Sequence, residues 1–250
     1  MKELILQIFI PILLSGNIGT VTDIDGNTYN TIQIGDQCWM VSNLKVTHYP
    51  NGTNIPLITD NTEWANLADN GTDDAYCYYK NNTNGEVDTY GALYTWSAVM
   101  GDNAENSINT SSHVQGVCPN GWHLPSDNEW KELEKTLGLS QLDADKGGYR
   151  GSNEGSKLAG NLTIWDGDYD MLERNSEFGN SGFMALPGGS RDHSRGYFDG
   201  VGKFTGFWSA TENNDSEVWY RELAFIKAEV CRGVCNKSNG NYVRCIKDNE

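Results

Sequence analysis

Apolar residues are gathered into short blocks along this chain, separated by polar stretches rich in glycine and asparagine. The first block, Leu4 to Leu14, follows Lys2 and is interrupted by Gln7 and Pro11. It is too short to span a bilayer, and with Ser15 and Gly16 behind it the pattern fits the apolar centre of a secretory leader. Residues 1–19 are expected to be that leader and 20–250 one domain. Val21, Ile24, Tyr29, Ile32 and Ile34 surround an Asp-Gly-Asn turn, which predicts strand, turn, strand over 20–45. Residues 46–90 are polar, with a helical turn expected at "NTEWANL". A short helix is expected over about 90–100, where Leu93, Trp96, Ala98 and Met100 recur at helical spacing.

The main helix is expected at about 126–138. Ser126 and Glu129 form a capping box, Pro125 blocks an earlier start, and Asp127 suits the positive end of the helix. Trp130, Leu133 and Leu137 line one face, and Gly138 can end it. Helix initiation thus explains Asp127 and Glu129 without any catalytic role. Strand-like blocks follow at 182–191, 206–212, 218–225 and 242–248. In the last, Val243 and Cys245 should face one way and Tyr242, Arg244 and Ile246 the other. Few helices, many short strands and long polar loops define an α+β domain.

Charge narrows the partners. A net charge of -16 repels nucleic acid and anionic lipid. The acidic stretch "DGDYDMLERNSE" sets Asp166, Asp168, Asp170 and Glu177 at positions 1, 3, 5 and 12 of a calcium-loop register, but Met171 stands where the sharp turn needs glycine. A looser calcium site is weighed against an acidic solvated loop. "DIDGN" reads as a hairpin turn rather than a cation site.

Six cysteines behind a leader favour disulfides, with 15 possible pairings. There is no C-x-x-C pair, and four histidines (His48, His113, His123, His193) leave a zinc cage little to work with. Cys231 and Cys235 are four residues apart, about 13 Å in a regular strand, so a bond between them requires a bend. A local disulfide, free or cross-paired thiols, and a functional thiol site remain open. "RDHSR" (191–195) has no nucleophile at a recognisable spacing. Trp208 and Trp219 are expected in the core. Tyr197, Phe198 and Arg195, with Asn213 and Asn214, are the expected ligand contacts, because rings beside polar groups suit glycan or protein surfaces.

Several blocks carry a resemblance in concert: "VTDIDGNTYNTIQIGDQCWMVSNL" (21–44), "TYGALYTW" (89–96), "CPNGWHLPSDNEW" (118–130), "SGFMALPGG" (181–189), "FWSATE" (207–212) and "YVRCIKD" (242–248). In this order they resemble the Fibrobacter succinogenes major paralogous domain family, which is bacterial and secreted or surface-attached. "GWHLPSDNEW" also looks like the "RLPTEAEWE" stretch of formylglycine-generating enzymes and their non-catalytic relatives. The resemblance implies a C-type-lectin-like fold: short strands in a curled antiparallel sheet, one main helix and long loops. It also implies a Cys118–Cys245 disulfide, with Cys38–Cys77 as the second pairing. The sugar-binding E-P-N, Q-P-D and W-N-D motifs of calcium-dependent lectins are absent.

These readings lead to an expectation of a secreted or cell-surface, non-catalytic module that recognises a glycan or extracellular protein through loops at about 190–240, with no cofactor except calcium in the looser-site reading. One alternative is a thiol oxidase using Cys231 and Cys235, which lie near the position of the reactive pair in formylglycine-generating enzymes. The other is a structural envelope or filament component that associates with itself.

Overall fold

The computed structural model describes residues 19–67, 72–82, 85–101, 113–166 and 171–249. Residues 1–18 of the expected leader therefore lie outside the described residues, and its last residue, Gly19, opens the first strand. In chain order the elements are β1 (Gly19–Thr22), β2 (Thr28–Ile34), β3 (Gln37–Met40), α1 (Asn61–Ala65), β4 (Tyr76–Cys77), α2 (Glu86–Tyr90), β5 (Leu93–Tyr94), α3 (Trp96–Met100), β6 (Trp122–His123) and α4 (Asp127–Thr136). They continue with α5 (Gln141–Ala144), β7 (Gly148–Arg150), α6 (Glu154–Leu158), β8 (Gly188–Arg191), β9 (Phe198–Val201), β10 (Phe204–Glu212), β11 (Glu217–Ala224), β12 (Val230–Asn236) and β13 (Ile246–Lys247).

Two sheets carry the α+β domain. A curled antiparallel sheet has the order β1-β2-β3-β13-β6. A six-stranded sheet has the order β7-β12-β11-β10-β8-β9 and is mixed, because β8 runs parallel to β10. β4 and β5 form a separate two-stranded sheet. The first hairpin closes as its turn residues dictate: Asp23 accepts hydrogen bonds from the Asp25 and Asn27 backbones, from Asn27 Nδ2 and from the Tyr29 hydroxyl. That carboxylate is consumed by the turn, as a hairpin reading of "DIDGN" requires.

Helix α4 starts at the capping box. Ser126 Oγ accepts from the Glu129 backbone, and Glu129 Oε2 accepts from the Ser126 backbone at 2.8 Å. The helix expected over 90–100 is a strand and a helix in sequence. Leu93 and Tyr94 pair with Cys77 and Tyr76, and Thr95 then caps α3. Every residue of α3 is buried, so its apolar spacing reflects burial on all sides rather than one face. The block 182–191 becomes a strand only from Gly188. Met184 has φ 59°, a left-handed conformation that breaks strand pairing before it.

The alternation predicted near the C-terminus holds even though only β13 is regular strand. Tyr242 and Ile246 join one core cluster with Trp39, Trp130, Phe183 and Phe207, while Val243 and Cys245 join the other with Trp96, Tyr94 and Met40. Cys245 is bonded to Cys118, tying the loop before β6 to the chain entering β13.

The other four cysteines are free, which corrects the Cys38–Cys77 pairing and leaves no local disulfide between Cys231 and Cys235. Cys38 and Cys77 lie in separate packing clusters. Cys231 and Cys235 occupy one uninterrupted strand, paired residue for residue with β11 from Glu222↔Cys231 to Val218↔Cys235. No bend brings them together, so strand geometry holds their sulfurs out of bonding range. Trp208 is core, as expected, but Trp219 is only half-buried and carries the Arg232 guanidinium 3.5 Å above its ring.

Candidate functional site

The scaffold is braced by buried arginines. Arg221 reaches Glu134 Oε1 at 2.6 Å and Asp127 Oδ1 at 2.9 Å. Arg232 forks onto both Asp127 oxygens at 2.9 and 2.8 Å, and Arg150 meets Glu134 Oε2 at 2.5 Å. Burial works to raise the Asp127 carboxyl, but Arg232 and Arg221 outweigh it and hold it at about 2. Burial keeps Glu134 above the usual carboxylate range although two guanidinium groups reach it. This network locks α4 onto β11 and β12, and Lys131 Nζ adds a contact to Asp127 at 3.3 Å.

Arg191 is buried differently, among carbonyls. Its guanidinium donates to Gly196 O, Ile58 O, Thr59 O and Asp60 O and to Asn61 Oδ1, between the rings of Trp64 and Phe198. This cage fastens the turn after β8 to the segment leading into α1. Gly196 has φ 65°, and a Cβ there would lie 2.1 Å from Asn61 O, so only glycine permits the approach.

Three loops meet at this end of the six-stranded sheet. Thr205 pairs with Gly189 in parallel, so the turns after β8 and β10 leave the sheet in the same direction. Gly240 and Tyr242 then insert beside Arg191 and Phe207. The His193 backbone donates to Asn239 Oδ1 at 3.0 Å, linking the 192–197 turn to the turn after β12. The Lys237 backbone donates to Ser216 O, linking that turn to the β10–β11 turn. The Lys237 ammonium pairs with Glu212 over the ring of Trp96.

Within these loops the expected contacts separate. Tyr197 is 58% exposed, and Arg195 is exposed beside it. Phe198 turns inward onto Tyr79 and Arg191, so it braces the loop instead of offering a contact. Asn213 and Asn214 are both exposed. Asn214 Oδ1 accepts from the Ser216 and Glu217 backbones, which makes it the residue that shapes its turn. Tyr197, Arg195 and Asn213 therefore remain as outward groups on a fixed frame.

The calcium register is only partly in view. Asp168 and Asp170 lie outside the described residues. Asp166 is exposed, while Glu177 Oε2 accepts from Asn153 Nδ2 at 2.6 Å and faces Lys157 at 3.5 Å. Glu177 is thus already engaged by donors.

A different cluster was not legible as a site in the sequence. Among the described residues, His113, His123 and Glu129 bring three potential ligand atoms within 4.8 Å of one another. The His113 and His123 rings stack at 3.9 Å, and Asp248 accepts from His123 on the far side. Their spacings of ten and six residues match no metal motif, because a loop, a strand end and a helix start supply one group each.

Burial disfavours the thiolate form at all four free cysteines. Burial pushes Cys231 up to about 11 and Cys77 up to about 12, and it raises Cys235 and Cys38 as well. A cleft of about 250 Å³ beside the disulfide is lined by Ile24, Val46, Val117 and Asn120, and its one carboxylate, Asp23, is consumed by the hairpin turn.

Fold and loops together define an α+β domain with an arginine-braced scaffold and one loop-bearing end. The chain belongs to the Fibrobacter succinogenes major domain family, whose match covers residues 32–247. No curated protein and no solved structure matches it.

Proposed function

We propose that this protein is a non-catalytic binding module of C-type-lectin-like fold, secreted or held at a cell surface, that recognises a glycan or an extracellular protein through the loops after β8, β10 and β12. The observation that carries this reading is the Arg191 cage. A buried guanidinium spends five hydrogen bonds and two ring contacts fixing a loop whose outer residues, Tyr197 and Arg195, point to solvent. Preorganised loops bearing a tyrosine and an arginine lose little entropy on binding. The raised thiols and the straight strand between Cys231 and Cys235 favour this reading over a thiol oxidase. Among the described residues no helix is long and apolar enough to cross a membrane.

The test is a glycan array and a surface-protein screen with the folded domain, followed by Tyr197→Ala and Arg195→Ala. Each variant is expected to weaken a confirmed ligand by roughly tenfold or more, with the unfolding midpoint unchanged. A ligand bound equally well by wild type and both variants would place recognition elsewhere and defeat the proposal.

A further inference from the structure

We propose that His113, His123 and Glu129 form a binding site for one divalent transition ion, zinc being the ion that suits this donor set. The site lies on the curled sheet and the start of α4, and it is independent of the loop reading above. Two imidazoles and a carboxylate are borderline ligands that suit zinc and not calcium, which takes oxygen donors.

Each ligand atom is aimed by what holds its opposite atom. His123 Nδ1 donates to Asp248 Oδ1 at 2.6 Å, which fixes the ring so that Nε2, facing Glu129, is the nitrogen an ion takes when it displaces the Nε2 proton. Glu129 Oε2 accepts from both Ser126 N and Ser126 Oγ at 2.8 Å, leaving Oε1 facing His123 Nε2 at 2.7 Å. A carboxylate behind the histidine and a fixed ligating carboxylate are the supports that zinc sites require. His123 is 2% exposed, so this half of the site is rigid.

The His113 ring supplies the adjustable half. It is 47% exposed and stacks on His123 with the ring planes 1° apart. Its Nε2 lies 3.8 Å from Glu129 Oε1 and its Nδ1 lies 3.9 Å from Asp248 Oδ1. The two rings thus sit over the same pair of oxygens. One hydrogen on His123 satisfies each oxygen, and His113 is left with long contacts to groups already used. An ion resolves that competition.

Parallel rings cannot both direct in-plane lone pairs at one point, so His113 must tilt off the stack. Tetrahedral bonds of about 2.0–2.1 Å put neighbouring ligand atoms about 3.3 Å apart. The 2.7 Å His123–Glu129 contact opens to that value as the ion replaces the shared proton, and the 3.8 Å His113–Glu129 gap closes to it. The fourth position is left to water. The two carboxylates, Glu129 and Asp248, balance the ion's charge.

The experiment is calorimetric titration of the chelator-stripped protein with Zn²⁺, repeated on His113→Asn and Asp248→Asn, with the thermal midpoint followed in parallel. His113 is half-exposed, so its variant keeps the fold. Wild type is expected to bind one zinc ion and to rise in midpoint with zinc concentration. His113→Asn is expected to lose affinity by at least tenfold and to lose the midpoint shift, and Asp248→Asn to weaken binding by on the order of tenfold. Absence of a one-to-one isotherm in wild type would overturn the proposal. So would an isotherm that His113→Asn retains in full, which would assign the zinc to His48, His193 or the acidic surface.

Discussion

Replacing both Cys118 and Cys245 with alanine removes the one disulfide formed among the described residues, and the size of the effect follows from the length of chain it closes. The bonded residues are 127 apart in sequence. In the chain-entropy account a closed loop of that length removes about 5 kcal/mol of freedom from the unfolded state at 25 °C. Both residues are fully buried, so two small voids add to the cost. Domains of this size are stable by roughly 5–15 kcal/mol, so the double variant is expected to sit near the edge of folding at 37 °C. Urea unfolding of wild type and variant, monitored by tryptophan fluorescence, measures the difference. Because the constraint acts mainly on the unfolded chain, the slope against urea should also rise in the variant, whose unfolded state is more open. A loss under about 1 kcal/mol with an unchanged slope would show that the unfolded chain is already confined without the bond, and the loop-closure reasoning would fail.

Other expectations test the braces and the thiols. Glu134→Gln leaves Arg221 and Arg150 without their shared carboxylate and is expected to cost about 3–5 kcal/mol in the same urea assay. The folded pKa of Asp127, about 2, lies below the 3.8 of a free carboxyl, so its stabilisation is complete above about pH 4 and drains away as the pH falls through 2. The loss is on the order of 2 kcal/mol, and a flat stability profile across that window would refute the assignment. Cys77 and Cys231 are expected to resist iodoacetamide at neutral pH until the protein is unfolded; rapid alkylation of Cys231 in the native protein would reopen the thiol reading.

What could be read in the sequence was local chemistry. The capping box at Ser126 and Glu129 satisfies helix donors with nearby groups, and it formed as spelled. The alternation from Tyr242 to Ile246 survived because burial on both sides enforces it even without a regular ladder. The Cys118–Cys245 bond followed from family resemblance, not from spacing. What stayed hidden needed partners distant in the chain. Leu93 and Tyr94 became strand because Cys77 and Tyr76 lie opposite them. The strand through Cys231 and Cys235 owes its straightness to six residues of β11, Glu217 to Glu222, paired opposite it. The role of Arg191 depends on carbonyls about 130 residues away, and the pairing of His113 with His123 depends on where β6 delivers its last residue.

The buried cations have an effect beyond bracing. Among the described residues, Arg150, Arg191, Arg221, Arg232, Lys237 and Arg244 are all buried, against the buried carboxylates Asp23, Asp127, Glu134 and Glu154. These six come from only 18 basic residues in the whole chain. The interior has taken up positive charge, and the outer skin is left more anionic than the net -16 suggests. Copies of this domain should therefore repel one another in dilute buffer and approach only as salt shortens the reach of that field to about 8–10 Å. A cationic partner would meet the opposite behaviour, with capture fastest in low salt.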